Sequence, residues 1–209
     1  MAGKDGSESK DRRSQIIDSA IGLMSDHGVS GATTARIAAD VGVSEPTLYR
    51  HFKNKQEILL SALDVIAVRL MFFSASAASD ANDVVERVRL MSGAIYDFGI
   101  SNPEETRVLW EAISATRDEE MRESLRTKFT LMLKLVEGVL AEGISQGEIR
   151  EDIDVSLTAW EIASLGNTLY LALTLGLENE LTKDKAMQAI DRLLDSIVTD
   201  DYRERRAGK

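Results

Sequence analysis

Glu45, Thr47, Tyr49, Arg50 and His51 crowd into a short stretch of the chain. Short polar groups, a phenol and a cation are the types that reach base edges and phosphate oxygens in a DNA major groove. Leu48 and Phe52 are interleaved with them at i, i+4 spacing, so a helix gathers these two on its other side. The chemistry this pattern offers is recognition. Catalysis is poorly served elsewhere. The 209 residues contain no Cys, and His27 and His51 are the only histidines. A thiolate nucleophile, a disulfide framework and a thiolate metal site are excluded. A Ser-His-Asp triad or a two-histidine metal site beyond residue 51 is excluded too. No paired-carboxylate motif stands out, and no Gly-rich phosphate loop follows a strand. The sequence therefore calls for no cofactor and no metal.

Two short helices with a tight break between them would present these side chains. Thr33 or Thr34 can cap the first, which runs to about Val41, with Ile37, Ala38 and Val41 on one face. Gly42 supplies the positive φ that a turn after a helix wants. Ser44 caps the second helix, and Pro46 sits in its first turn, where a missing N–H costs nothing. A helix, a Gly-bearing turn and an exposed polar helix make a helix-turn-helix. The alternative is a plain helical hairpin whose polar residues are merely solvated.

The string TTARIAADVGVSEPTLYRHF, residues 33–52, carries the pattern Thr-Thr…Ile-Ala…Gly-Val-Ser…Thr-Leu-Tyr…Phe, with Lys just after it. It resembles the N-terminal motif of the TetR family of transcriptional regulators over roughly residues 13–60. Beyond that span the likeness rests on helix pattern. The resemblance implies that Tyr49 and His51 bind phosphates. Docking geometry puts Ser44, Glu45, Pro46 and Thr47 at the end that points to base edges. Thr47 or Pro46 can lie against a thymine methyl, and Glu45 can accept from a cytosine amino group. Lys55, Thr33 and Thr34 sit at helix starts, where a cation or hydroxyl and free amides can hold a phosphate. Arg36 points outward towards backbone or bases. For Arg50 and Lys53 solvation and contact are equally open.

Composition agrees with an all-α protein: only 2 Pro residues and 44% hydrophobic residues. The expected architecture is an N-terminal three-helix domain over residues 1–55, with a disordered tail over 1–9. A helical ligand-binding and dimerisation domain follows over 56–209, giving about nine helices in all. The first helix spans 9–27 and ends at Gly28; others are expected over 55–74, 82–99, 103–115, 118–143, 155–175 and 182–199. Residues 203–209 are expected to fray. The formal net charge of −10 looks wrong for a DNA binder. Residues 1–57, however, hold eight basic and eight acidic side chains, so the remainder carries the whole excess. An acidic body belongs away from DNA.

In the larger domain Met91, Ile95, Phe98, Trp110, Glu111, Phe129, Met132 and Asn167 combine large apolar groups with a few polar ones. Such a mixture lines small-molecule sites, and it equally lines ordinary cores. That the domain binds a small apolar or amphipathic effector is implied mainly by the family resemblance. The helix over 155–175 is apolar nearly all round. A membrane span would have the length, but Glu161, Asn167 and the threonines oppose it, so no membrane is expected. Ala159, Ala163 and Gly166 would let a partner helix approach, and the family pairs its last two helices across a two-fold axis. That assigns Ala159, Ala163, Gly166, Tyr170, Ile190, Leu194 and Ile197 to a homodimer interface. Two reading helices would then lie about 34–36 Å apart on a palindromic operator in double-stranded DNA. The expected function is a cytoplasmic, ligand-responsive repressor, not an enzyme. The alternative is a helical protein-interaction module without ligand response. The N-terminus has no apolar run that would serve as a signal peptide.

Overall fold

A computed structural model describes residues 3–114 and 118–208. Among them ten helices form: α1 Gly3–Gly31, α2 Thr34–Val41, α3 Glu45–Leu48, α4 Lys55–Ala77 and α5 Val84–Ser101, then α6 Pro103–Ser114, α7 Glu119–Ser145, α8 Val155–Thr174, α9 Lys183–Ile197 and α10 Asp200–Ala207. The only β feature among the described residues is an isolated bridge between Ile149 and Val198. The all-α expectation holds, with ten helices where nine were expected.

The chain divides into two compact units, and not at residue 55. The first unit runs through Val68 and takes back Asn102–Leu125; the second holds Arg69–Ser101 and everything from Arg126. The reason is packing. Val108 and Ala112 of α6 are fully buried in the same core as Ile16, Ala20 and Met24 of α1. Ile37 and Ala38 of α2, Leu48 and Phe52 of α3 and its following turn, and Ile58, Leu63 and Ile66 of α4 complete that core. Each of the larger side chains contributes about 1.5–3 kcal/mol by leaving water.

Several boundaries differ from expectation. The α1 helix reaches back to Gly3, where the sequence suggested disorder; no proline interrupts that segment. At its other end Gly28 breaks the ladder with φ +78° and ψ 164°, and one further turn follows. The α3 helix is only four residues long. Beyond it, Arg50 and His51 donate to the Thr47 and Leu48 carbonyls three residues back, so the chain tightens into a 3₁₀-like turn. The α4 helix continues through Ser74 to Ala77. The expected C-terminus of α6 at Ala115 lies outside the described residues. The tail is not frayed: Thr199 caps α10, whose first turn is acidic and last turn basic, as the helix dipole favours.

The second unit is organised differently. Val84 and Val88 of α5, Leu133 and Leu140 of α7, Ile162 of α8 and Ile190, Leu194 and Ile197 of α9 form its core. Tyr202 of α10 is buried there and donates to Asp83 at 3.1 Å. Burial and that carboxylate push its phenol up to about 12. Buried Glu148 accepts the N–H of Val84 at 2.8 Å, satisfying an amide left open at the start of α5. The described helix that is long and apolar enough to cross a membrane is α4, with mean hydropathy 2.0, and not α8. Ile58, Leu59, Ala62, Leu63 and Ile66 are buried inside the first unit, while Val68, Met71 and Phe72 further along the helix are exposed.

Candidate nucleic-acid interface

The exposed face of the first unit is built cap by cap. The Thr33 hydroxyl accepts from the Arg36 amide and starts α2. Gly42 ends α2 in the left-handed region, φ +73°, and its N–H closes back on that helix. The Ser44 hydroxyl then accepts from the Thr47 amide and lies 2.9 Å from the Thr47 hydroxyl. Between the helices Thr34 donates to a Glu45 carboxylate oxygen at 2.8 Å, which fixes the two helix starts against each other. Leu48 is fully buried and Phe52 nearly so, while Glu45, Pro46, Tyr49 and Arg50 are exposed. The side chains of Tyr49, Arg50 and His51 have no partner among the described residues. A buried hydrophobic pair thus turns a row of polar groups outward on a rigid turn.

The cations expected at phosphates are engaged at home. Lys55 Nζ donates to the Ser30 carbonyl at 3.1 Å, and Arg36 Nη1 to the Gly31 carbonyl at 3.2 Å. Both cap the C-terminal turn of α1, where a cation meets open carbonyls. At the start of α4, Asn54 accepts from the Glu57 amide at 2.8 Å. The Glu57 carboxylate reaches back past the cap to the Lys53 amide at 2.7 Å. That N–H and the nearby Arg13 guanidinium hold Glu57 below the usual carboxylate range.

Arg13 is the residue that sequence reasoning missed. It donates to the His51 carbonyl at 2.6 Å, to Glu57 at 3.3 Å and to Ser61 at 3.2 Å, and it stacks 4.0 Å from the Phe52 ring centroid. One side chain on α1 therefore pins the end of the reading turn. Its partners lie 38 to 48 residues away, and only an unexplained Arg beside an apolar stripe could have signalled it.

A family model for the N-terminal region of bacterial regulatory proteins of the tetR family matches residues 16–62. A second, the tetracycline-repressor-like C-terminal domain, matches residues 112–190. The chain is 31% identical to a nucleoid occlusion factor SlmA from Vibrio campbellii over 147 residues, 70% of this chain and 73% of that protein. The chain belongs to the TetR family. A fatty acid metabolism regulator protein from Bacillus subtilis is 25% identical over 68% of this chain and 73% of its own length. Among solved structures, a putative TetR-family regulator from Rhodococcus sp. aligns with TM-score 0.78 at 20% identity, covering 91% of this chain and all of that one. The regulator FadR from Bacillus subtilis, in complex with stearoyl-CoA, aligns with TM-score 0.71 at 23% identity, over 87% and 95%. As a TetR-family member the protein is a DNA-binding transcriptional regulator and not an enzyme.

The remaining expected residues fare unevenly in this TetR-family chain. Trp110 and Glu111 belong to the first unit, and the other six expected effector residues to the second. Glu111 accepts the N–H of Val29 on one carboxylate oxygen at 3.1 Å. Phe98 is buried edge-to-face on Phe73, and Phe129 lies 5.3 Å from Trp160. Met132 packs on the second unit's core, Met91 is half-buried and Asn167 is exposed. A cavity of about 60 Å³ lies among α5, α8 and α9, lined by Ile95, Tyr96, Ile162, Leu169, Met187 and neighbours. Ile95 is the one expected effector residue on its wall.

Of the expected interface residues, Ile190, Leu194, Ile197 and Ala159 lie in the interior of the second unit, with at most 5% exposure. They face their own chain and have no surface to give a second one. Ala163, Gly166 and Tyr170 are half-buried, and burial pushes the Tyr170 phenol up. What α8 and its C-cap expose is another stripe: Leu157, Trp160, Leu171 and Leu175. Periodicity had marked the apolar face of α9, and that face is used internally.

Proposed function

We propose that this regulator is a repressor that binds a palindromic operator as a homodimer and is released by an apolar or amphipathic effector. The observation that carries the DNA half is the outward row Glu45, Pro46, Thr47, Tyr49 and Arg50 above buried Leu48 and Phe52. On this reading Glu45, Pro46 and Thr47 read base edges, while Tyr49 and His51 take phosphates. Thr33, Thr34, Ser44, Arg36 and Lys55 support or join them. Arg36 and Lys55 would leave the Gly31 and Ser30 carbonyls for phosphates as the DNA arrives. The dimer half is supported by the exposed stripe on α8, since adjacent large apolar groups in water favour a partner. The protein then works in the cytoplasm, where its operator is.

For the effector, the support is likeness: one relative regulates fatty acid metabolism, and a structural neighbour holds stearoyl-CoA. A long acyl chain with a polar head is the first candidate. The test is operator affinity by fluorescence anisotropy, with and without stearoyl-CoA, across a salt series. The slope of log affinity on log salt should be about −0.9 per phosphate contact. A loss of affinity with acyl-CoA supports the proposal, and a coupling of about 1–3 kcal/mol would appear as a 5- to 150-fold change.

A second reading has its own observation. The cavity of about 60 Å³ is far below the several hundred Å³ of an ordinary ligand site. A DNA-bound protein without a small-molecule switch fits so small a cavity, and the SlmA relative is named as a nucleoid occlusion factor. Operator affinity unchanged by acyl-CoA and by other amphiphiles would favour it.

A further inference from the structure

Residues 28–31 join α1 to the reading helices, and three contacts converge on them. Gly28 holds φ +78°, where a side chain is strained. A Cβ built there would sit 2.5 Å from Glu111 Oε1, so this position also has to be bare for the carboxylate to enter. The carboxylate takes the Val29 N–H at 3.1 Å. Arg107, one helical turn before Glu111 on α6, donates to the Ser25 carbonyl at 3.3 Å. From the other side Lys55 and Arg36 take the Ser30 and Gly31 carbonyls. The elbow is therefore gripped by α6 at its amide and by two DNA-side cations at its carbonyls.

We propose that Glu111 is a positioning residue for DNA reading, acting through the 28–31 elbow and not through an effector. Thr33, which caps α2, follows the elbow directly, and its own N–H donates to the Gly31 carbonyl at 2.9 Å. A shift of Val29 is passed to the cap, and from α2 to Glu45 through Thr34. The inference stands apart from the repressor reading, because it needs no effector and no operator symmetry.

The test uses the full chain and four variants, with Glu104→Gln on the exposed side of α6 as control. Exchange of the Val29 amide is followed by NMR without DNA. Affinity is measured for a duplex enriched from random sequence by the unaltered protein. Glu111→Ala should speed Val29 exchange and weaken duplex binding by about tenfold each, the size expected for a hydrogen bond to a charged group. Glu111→Gln keeps an acceptor oxygen and should stay within about threefold, about 0.6 kcal/mol. Gly28→Ala should evict the carboxylate and repeat the Glu111→Ala result with Glu111 intact. Unchanged affinity in Glu111→Ala, or a Gln variant as weak as the Ala variant, overturns the proposal. If Glu111→Ala folds poorly, Glu111→Asp decides, since it withdraws the carboxylate without straining the backbone: wild-type affinity and slow Val29 exchange overturn the proposal, while faster exchange with weaker binding supports it. Exchange is read without DNA, so failure there is distinct from failure of the operator model.

Discussion

The reading helices and the second unit are held by polar contacts of different reach. Around the reading helices the helix starts are set locally, Thr33 to the Arg36 amide, Ser44 to the Thr47 amide and Asn54 to the Glu57 amide, and Arg13 then pins the end of the turn from a distance. Each cap spans three residues. The second unit has such caps too, at Asp154, Thr182 and Thr199, and adds distant ion pairs between its helices: Arg87 to Glu142 at 2.7 Å, Arg89 to Asp191 at 2.7 Å and Lys183 to Asp97 at 2.6 Å, with Glu148 on the Val84 amide. A cap and the amide it satisfies lie within one helical turn, whereas a distant tie needs two helices brought side by side. The difference suits a surface that must keep its geometry and a body that must assemble.

The sharpest way to break that contrast is to remove what the local caps rest on. Phe52→Ala deletes a nearly buried ring and the Arg13 stack. It should destabilise the first unit by about 3–5 kcal/mol and abolish DNA binding, read by thermal denaturation and anisotropy. If stability hardly changes, the caps alone hold the reading turn. Glu148→Ala addresses the other side. It leaves the Val84 amide buried without an acceptor, at a cost of about 1–3 kcal/mol in urea denaturation. A neutral result would mean that the second unit does not depend on its distant ties. Tyr49→Ala touches neither set. The expected outcome is weaker DNA binding at unchanged melting temperature, by about tenfold across duplexes of differing sequence, which is about 1.4 kcal/mol. Thr47→Ala should instead alter preference among those duplexes.

The smallest effect is a pH dependence. Glu57 is held below its ordinary value by the Lys53 amide and then by Arg13. A carboxyl whose folded pKa is depressed adds stability above its unfolded value, and that addition is lost as pH falls through the folded value. Wild type and Glu57→Gln should therefore differ most near neutrality and converge on acidification below pH 4.5, the ordinary value. Glu57 is half-exposed, so solvent keeps the difference small. A gap that widens in acid would reverse the sign and remove Glu57 from the local set.

The same division explains what could be read from sequence. The Thr33, Gly42 and Ser44 caps were legible because the signal and the group it satisfies lie within one helical turn. The family motif added the turn as a whole. The backbone contact of Glu111 was not legible because its partner, the Val29 amide, is 82 residues away, and a carboxylate among apolar residues looks the same whether it caps a backbone or waits for a ligand. Ile190, Leu194 and Ile197 show the limit of periodicity. A repeat of three and four marks an apolar face, but it does not say whether that face meets its own chain or another. The extra turn at Gly28 and the structured tail of α10 depend on packing against α6 and Asp83, which no local window contains.

The bond between Thr34 and Glu45 has one more implication. It parks a formal negative charge among the side chains turned towards solvent at the start of α3. On the proposed docking, that carboxylate meets the sugar-phosphate rails of any random duplex with like charge. Only a sequence offering a proton donor at the matching place relieves the repulsion. Loose sliding along unrelated DNA is thereby discouraged, and a protein with no cationic surplus in its first 57 residues can still tell one site from the rest.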